Sequence, residues 1–269
     1  GFTRTGPLSV VFFDVGQGDA ALVSFPSGQH MLVDTGPRSP RSDAGASVIL
    51  PHLRRYGIDH LDAVVISHAD SDHLGGLPTV LREVSVGRVI MNEAHETTRL
   101  TREVNTVIDS LSVSRRNAFA GDTLALDPTA RVQVLGPPSS QLDRLGENDA
   151  SLVIRMVHGK QRFLFTGDVE QAGERWLVHS YPELLRSDVV KVGHHGSATS
   201  SNEAFVHHAA MEGGVALVSV GRSNPFGFPS PEVVRRWRER GVAVLTTARK
   251  GAVWIRTDGR ERERVHWRK

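Results

Sequence analysis

The sequence predicts an α/β protein whose mixed sheets carry helices on their outer faces, and three observations lead there. Short apolar runs recur along the chain; segments with helical periodicity separate many of them; and turn residues bound both kinds. Early strands are joined by short loops and later ones by helices, so antiparallel hairpins and parallel crossovers are both expected.

In chain order, strands are expected at LSVVFFDV, AALVSF and HMLVD, a helix over about 44–56, a strand at LDAVVIS and a helix after Gly76. Then come RVIM, a helix near 96–112, and strands at DTLALD, VQVL, SLVIRMV and RFLFTG. The last third reads as a helix over 170–179, DVVKVG, a helix over 202–211, ALVSVG, a helix over 231–240, VAVL and AVWIRT. Ser200 followed by Glu203 has the form of a capping box, and Ser230 before Pro231 that of an N-cap ahead of a first-turn proline. Gly241 stops the basic helix. No repeat, low-complexity tract or linker divides the 269 residues, which read as one domain.

Composition excludes several function classes. Cysteine is absent, which removes disulfides, thiolate zinc sites and cysteine nucleophiles, so any metal must be held by His and carboxylates. No apolar run approaches the roughly 20 residues that span a bilayer. The opening GFTRTGPLSV has neither an initiating Met nor the apolar core of a signal peptide, so an excised or processed soluble chain is expected. Residues 235–269 hold 12 Lys or Arg against 4 Asp or Glu, a local +8; the whole chain carries +2, leaving −6 for the remainder. That asymmetry suits acidic residues around a cation and a basic flank facing a polyanion, and equally a solvated helix face with a frayed tail.

The segment VVISHADSDHLGG, residues 64–76, concentrates the chemistry. An apolar strand ends at Ser67, and four potential ligands follow in the loop: His68, Asp70, Asp72 and His73. His68 and Asp70, two apart, project together from an extended segment, while Gly75 and Gly76 permit close backbone approach. One segment can therefore feed two neighbouring cations. A polar loop with Asp72 capping a helix is the structural alternative.

HADSDHLGG is similar to the HxHxDH motif of the metallo-β-lactamase superfamily. MLVDTG with Asp34, FLFTGD with Asp168, and VVKVGHHGS with His194 and His195 resemble its supporting strand, bridging-carboxylate segment and later ligand loop. VVFFDVGQGDAALVSFPSGQHMLVDTG, ENDASLVI and SVGRSNPFGFPSPEVV extend the resemblance to the C-terminal domain of the ComEC family of competence proteins, over about 8–256, with a basic tail over about 257–269. The resemblance implies an αββα sandwich of two mixed sheets. It further implies an extracytoplasmic nuclease domain, a monomer cut from a membrane-embedded DNA-uptake channel, that degrades the non-imported strand without inserting into lipid.

Residue by residue, the resemblance implies that His68 and Asp70 face one ion and Asp72 and His73 a second, with Asp168 bridging and His194 as a further ligand. Asp72, Asp168, Lys191 and His195 would serve the reaction. Two ions can bind phosphate and activate water, as phosphodiester hydrolysis requires. The carboxylates favour Mn²⁺, with Zn²⁺ or Mg²⁺ as alternatives. Asp168 also suits an N-cap, Lys191 an exposed strand position, and His195 a hydrogen bond to phosphate or solvent rather than coordination. Asp34 is expected to orient a histidine ring. Asp14 and Asp19 are expected to organise the turn around Gly16 and Gly18; Ser197, Thr199 and Ser200 to cap a helix or contact phosphate.

Two positions depart from the family pattern. No separate His precedes the bridging Asp, where GENDASLVI offers Asn148 and Asp149, and Phe228 stands where the ComEC pattern has His. A mononuclear site therefore stays open. Phe228 would pack against a base or fill space. His95, His158, His179, His207, His208 and His266 are expected in solvent, Trp237 in the core, and Trp267 free to stack on a base. The leading expectation is a metal-dependent DNase acting on DNA; a hydrolase of a small ester or lactone and a non-catalytic DNA-binding domain are its rivals.

Overall fold

The computed structural model describes residues 6–92 and 98–265. His95, His266 and Trp267 lie outside them, as does the start of the helix expected near residue 96.

The first half of the chain builds β1 (Leu8–Phe12), β2 (Ala21–Ser24), β3 (His30–Val33), β4 (Ala63–Val65), β5 (Arg88–Met91) and β6 (Ser114–Asn117). A second sheet follows: β7 (Thr123–Asp127), β8 (Ala130–Gly136), β9 (Val153–His158), β10 (Gln161–Phe165), β11 (Ser187–Lys191), β12 (Ala210–Val218) and β13 (Ala243–Thr246). The chain then returns to the first sheet with β14 (Val253–Thr257) and β15 (Arg262–Val265). The sheet orders are β6-β5-β4-β3-β2-β1-β14-β15 and β7-β8-β9-β10-β11-β12-β13. Both repeat one scheme: antiparallel pairing through β1–β3 and β7–β10, then parallel pairing from β3 to β6 and from β10 to β13.

Three apolar layers hold these sheets. Val10, Phe12, Met31 and Val65 of the first face Val132, Ile154, Phe163 and Phe165 of the second, and the rings of Phe12 and Phe165 stack at 5.7 Å. Leu22, Leu32 and Val64 pack outward against α1 (Leu50–Arg55), α3 (Leu77–Glu83) and α4 (Arg99–Ser110). Leu164, Val190 and Val218 pack against α5 (Gln171–Ser180), α6 (Glu203–Ala209) and α7 (Pro231–Glu239). Central strands buried on both faces read as continuous apolar runs, which is why they are legible in the sequence.

The differences have physical reasons. The helix at 203–209 is capped by Asn202, whose side chain accepts from Phe205 N at 3.0 Å, not by Ser200. Ser200 Oγ instead donates to Gly193 O at 2.7 Å, and the buried Glu174 carboxylate accepts from the N–H groups of Ser201 and Asn202 at 2.5 and 2.8 Å. Ser230 precedes Pro231 as expected, but its N–H donates to Gly196 O at 2.8 Å and its side chain caps nothing. β6 and β15 add to the expected strands, because SRRN and RERV lack the apolar signal of a central strand; both are polar edges of the first sheet. The segment expected as a tail from about 257 thus supplies an edge strand through Val265.

Trp237 lies in the outer layer with no exposed surface, its Nε1 donating to Ser201 Oγ at 3.1 Å. Trp237→Ala is expected to lower unfolding free energy by about 3–5 kcal/mol, read from urea denaturation; a loss below about 1 kcal/mol would contradict this packing.

Candidate metal centre

Two strands mark where antiparallel pairing gives way to parallel: β3, between β2 and β4, and β10, between β9 and β11. In open α/β sheets the crevice outside the carboxyl ends of strands at such a switch is where ligands bind. Asp34 follows β3, His68 follows β4, Asp168 follows β10, and His195 follows β11. Close backbone approaches bring these ends together. A Cβ at Gly76 would run into the Thr35 carbonyl, and one at Gly167, held at φ +53°, would meet the side chains of Ser151 and Ser67.

The HADSDH segment turns at Asp70 into the short α2 (Ser71–Leu74), which swings His73 inward. His73 is fully buried, and its Nδ1 lies 3.0 Å from Asp34 Oδ2. Asp34 also accepts from Ser67 N at 2.7 Å and Ser67 Oγ at 2.8 Å. It therefore fixes both the strand end and the imidazole, leaving Nε2 directed at the centre. That Nε2 and the Nε2 of buried His68 have no hydrogen-bond partner. Asp168 Oδ1 lies 3.3 Å from His73 Nε2, and Asp168 Oδ2 lies 3.3 Å from His195 Nε2. His195 Nε2 also lies 3.1 Å from Asp72 Oδ2, while its Nδ1 is within 2.9 Å of the Ser219 carbonyl.

Lys191, on β11, points into this crevice rather than into solvent. Its ammonium donates to Gly167 O at 2.8 Å, lies 3.2 Å from Asp168 Oδ1 and pairs with Asp19 Oδ2. Asp19 comes from the glycine turn before β2 and joins the centre, whereas Asp14 does not. Among the described residues, four sets of three side chains bring ligand-type atoms within 4.8 Å of one another: His68, His73 and Asp168; Asp72, His73 and His195; Asp19, Asp34 and His73; and Asp19, Asp168 and His195. Imidazole nitrogens and carboxylate oxygens converging with two buried Nε2 atoms that make no hydrogen bond fit a divalent cation.

The electrostatics are those of buried opposite charges set against one another. Burial opposes a proton on His73, but Asp168 and Asp34 outweigh it and raise its pKa well above the ordinary value. Burial likewise opposes charge on His195, yet Asp168 and Asp19 push it up to about 10. For Asp72 burial acts upward, and the bond from His195 with the nearby imidazoles brings the carboxyl down to about 2. Burial also acts upward on Asp168, which His195, His73 and Lys191 together hold well below the usual carboxylate range. Lys191 resists its own burial through Asp19 and Asp168, which raise its pKa.

Of the sequence-predicted residues, the fold gathers His68, Asp72, His73, Asp168, Lys191 and His195. His194 is turned away: its Nδ1 lies 2.8 Å from Glu170 Oε1, and its ring meets Phe228 edge-on at 5.8 Å. Consecutive left-handed residues, His194 at φ 45° and His195 at φ 51°, send the two rings in different directions. Asp70 is half exposed, with Oδ2 3.6 Å from His68 Nε2, and belongs to none of the four sets. Asp149 caps α5 by accepting from Glu170 N and Gly173 N at 2.9 and 2.8 Å. Ser151 Oγ accepts from Asp168 N at 3.0 Å and so holds the bridging segment, a role the sequence does not signal. Thr199 Oγ1 donates to Glu170 Oε1 at 2.5 Å. The sequence marks Asp19 only as a turn residue, and GQGDA before a strand is the one signal for it.

The sequence matches the metallo-beta-lactamase superfamily over residues 13–219. It is 29% identical over 263 residues to ComE operon protein 3 of Bacillus subtilis, covering 93% of this chain and 33% of that protein. Competence protein ComA of Neisseria gonorrhoeae is 33% identical over 247 residues, covering 91% and 32%. The chain thus spans about a third of the length of these ComEC-family competence proteins. The metallo-beta-lactamase fold protein YhfI of Bacillus subtilis superposes with a TM-score of 0.55 at 14% identity, covering 90% of this chain and 96% of that one, a likeness of fold alone.

Protons and a cation compete for these imidazoles. Because the neighbouring carboxylates raise the pKa of His73 and His195, cation affinity should rise with pH between about 6 and 9, with about one to two protons released per chain. Calorimetry with Mn²⁺ in buffers of different ionisation heat reads both; a pH-independent affinity would place the cation elsewhere. Asp34→Asn, tolerated at the left-handed φ of 56°, should weaken cation affinity about 10–100-fold.

Proposed function

The chain belongs to the metallo-β-lactamase superfamily, and we propose that it is a metal-dependent nuclease hydrolysing phosphodiester bonds of DNA, acting on the non-imported strand during natural transformation. The observation that carries this reading is Asp168, whose two oxygens each face a different imidazole, His73 and His195, beside Asp72. Its support on the substrate side is that relatives matching over nine-tenths of the chain are competence proteins.

His68, His73 and Asp168 would hold a cation on one side, and Asp72, His195 and Asp168 on the other. Divalent ions there supply Lewis acidity and lower the pKa of water, the chemistry a phosphodiester needs. Carboxylates at Asp72 and Asp168 favour Mn²⁺ over zinc, with Mg²⁺ also acceptable. Asp72 is the most exposed of these groups and faces incoming substrate. Asp34 and Ser67 hold His73 in place, and the Ser219 carbonyl holds His195. Lys191 keeps Asp168 ionised and offsets the surplus negative charge contributed by Asp19. His194 and Asp70 are assigned supporting positions at the rim.

In this reading the chain is one part of a longer protein, working as a monomeric unit on the extracytoplasmic side beside a membrane-embedded channel portion. No helix among the described residues is long and apolar enough to cross a membrane.

Labelled single- and double-stranded DNA incubated with Mn²⁺, Mg²⁺ and Zn²⁺ in turn tests the proposal. Cleavage should require a divalent cation and fall about 100-fold or more in Asp72→Ala, with circular dichroism unchanged. An Asp72→Ala protein as active as the parent would refute the assignment. Turnover of small esters without DNA cleavage would move the chain to that substrate class. Salt-dependent DNA binding with no cleavage under any metal would leave a binding domain.

A further inference from the structure

A groove of about 1000 Å³ lies between the segment after β12 and the helices α7 and α8 (Thr247–Lys250), apart from the residues of the metal centre. Its walls carry Arg222, Arg235, Arg238, Arg249 and Lys250 against one carboxylate, Glu239. Glu239 is engaged by Arg235 at 2.8 Å. No described carboxylate lies within ion-pair distance of Arg222, Arg238, Arg249 or Lys250. These are cations held on one surface with no described carboxylate paired to them.

One wall of the groove adjoins the loops that carry His195 and Asp19. Phe228, on its wall, meets the His194 ring, and Ser230 N donates to Gly196 O, so the wall is bonded to the loop carrying His195. Gly221, also on the wall, sits against the Gly16–Gln17 backbone just before Asp19. At this end two aromatic rings lie face to face: Phe226 and Phe228, with centroids 5.4 Å apart and planes 20° off parallel. Phe226 is 63% exposed, the most exposed large apolar side chain described. Its loop is held in shape by Asn224, whose side chain accepts from Phe228 N at 2.9 Å and donates to Phe228 O at 3.0 Å. The stacked pair thus presents an exposed phenyl on a braced loop.

From this juxtaposition we infer that the groove is the track for a single nucleic-acid strand, with Phe226 as the platform on which a base stacks and the unpaired Arg and Lys side chains as its phosphate contacts. The inference rests on the nuclease reading for its polarity, since the track then leads a strand to the metal centre. A free base face is available in a single strand and hidden in a duplex, so the aromatic end selects unpaired nucleic acid, while the cations supply sequence-independent attraction. Phe228 fits this arrangement as the ring that supports Phe226 from behind.

The test is fluorescence anisotropy with the purified, metal-containing protein and a labelled phosphorothioate oligo-dT of about 12 nucleotides, a length within the usual site sizes, beside a duplex of equal length. The phosphorothioate resists hydrolysis, so binding is read apart from cleavage. Phe226→Ala should weaken single-strand binding about 5–100-fold and leave duplex binding unchanged, and Phe226→Trp should restore it. Arg238→Glu with Lys250→Glu should weaken binding and lower the slope of log affinity against log salt by about 0.7 for each phosphate no longer neutralised, whereas Arg115→Glu, outside the groove, should change neither. Absence of single-strand binding at low salt, a duplex preference indifferent to Phe226, or unchanged binding in the double charge reversal would each overturn the groove. Loss of binding in the variants of a protein that cleaves nothing would keep the groove and reject the nuclease; normal cleavage and binding in those variants would do the reverse.

Discussion

Everything at the centre of this fold follows from carboxylates buried where two sheet ends meet. Asp19, Asp34 and Asp168 are each at most 5% exposed, and ionised groups so placed are tolerated only with opposite charge and hydrogen bonds around them. Lys191 lies between Asp19 and Asp168, His73 between Asp34 and Asp168, and His195 between Asp168 and Asp72. The field that suits a cation is therefore the one that raises the pKa of His73 and His195.

The topology explains why such a centre can be rigid. Each sheet changes from antiparallel to parallel pairing once; Asp34 and Asp168 follow the strands at those changes, and His68 and His195 follow the parallel strands beside them. Their backbones are pinned by sheet hydrogen bonds on one side and by packed helices on the other. Ser67 and Ser151 complete the placement by bonding Asp34 and Asp168 N respectively. The repeat of one strand scheme in two halves is invisible in the residues, because the halves share a pairing order and not a motif.

Charge is divided between two places. The centre gathers carboxylates suited to a cation, and the groove gathers Arg and Lys side chains. Of the basic C-terminal stretch, the groove takes Arg235, Arg238, Arg249 and Lys250, while Arg262 bonds Asp188 and Arg256 covers the Trp254 ring. A count of charges along the chain merges two populations that the fold separates.

The sequence alone determined the α/β class, the central strands and the HADSDH cluster. Apolar runs buried on both faces announce themselves, and ligands packed into six residues are neighbours before folding begins. The family resemblance also pointed to Asp34 and Asp168, and a lysine inside an apolar strand singled out Lys191. Only the tertiary structure chose His195 over His194, since adjacent residues are equivalent until left-handed backbone angles turn one ring inward and the other outward. Only it brought Asp19 from a glycine turn to the centre, capped α6 with Asn202 instead of Ser200, and made edge strands of SRRN and RERV. Those choices depend on which segments approach one another from afar, and no local pattern of residue types records that.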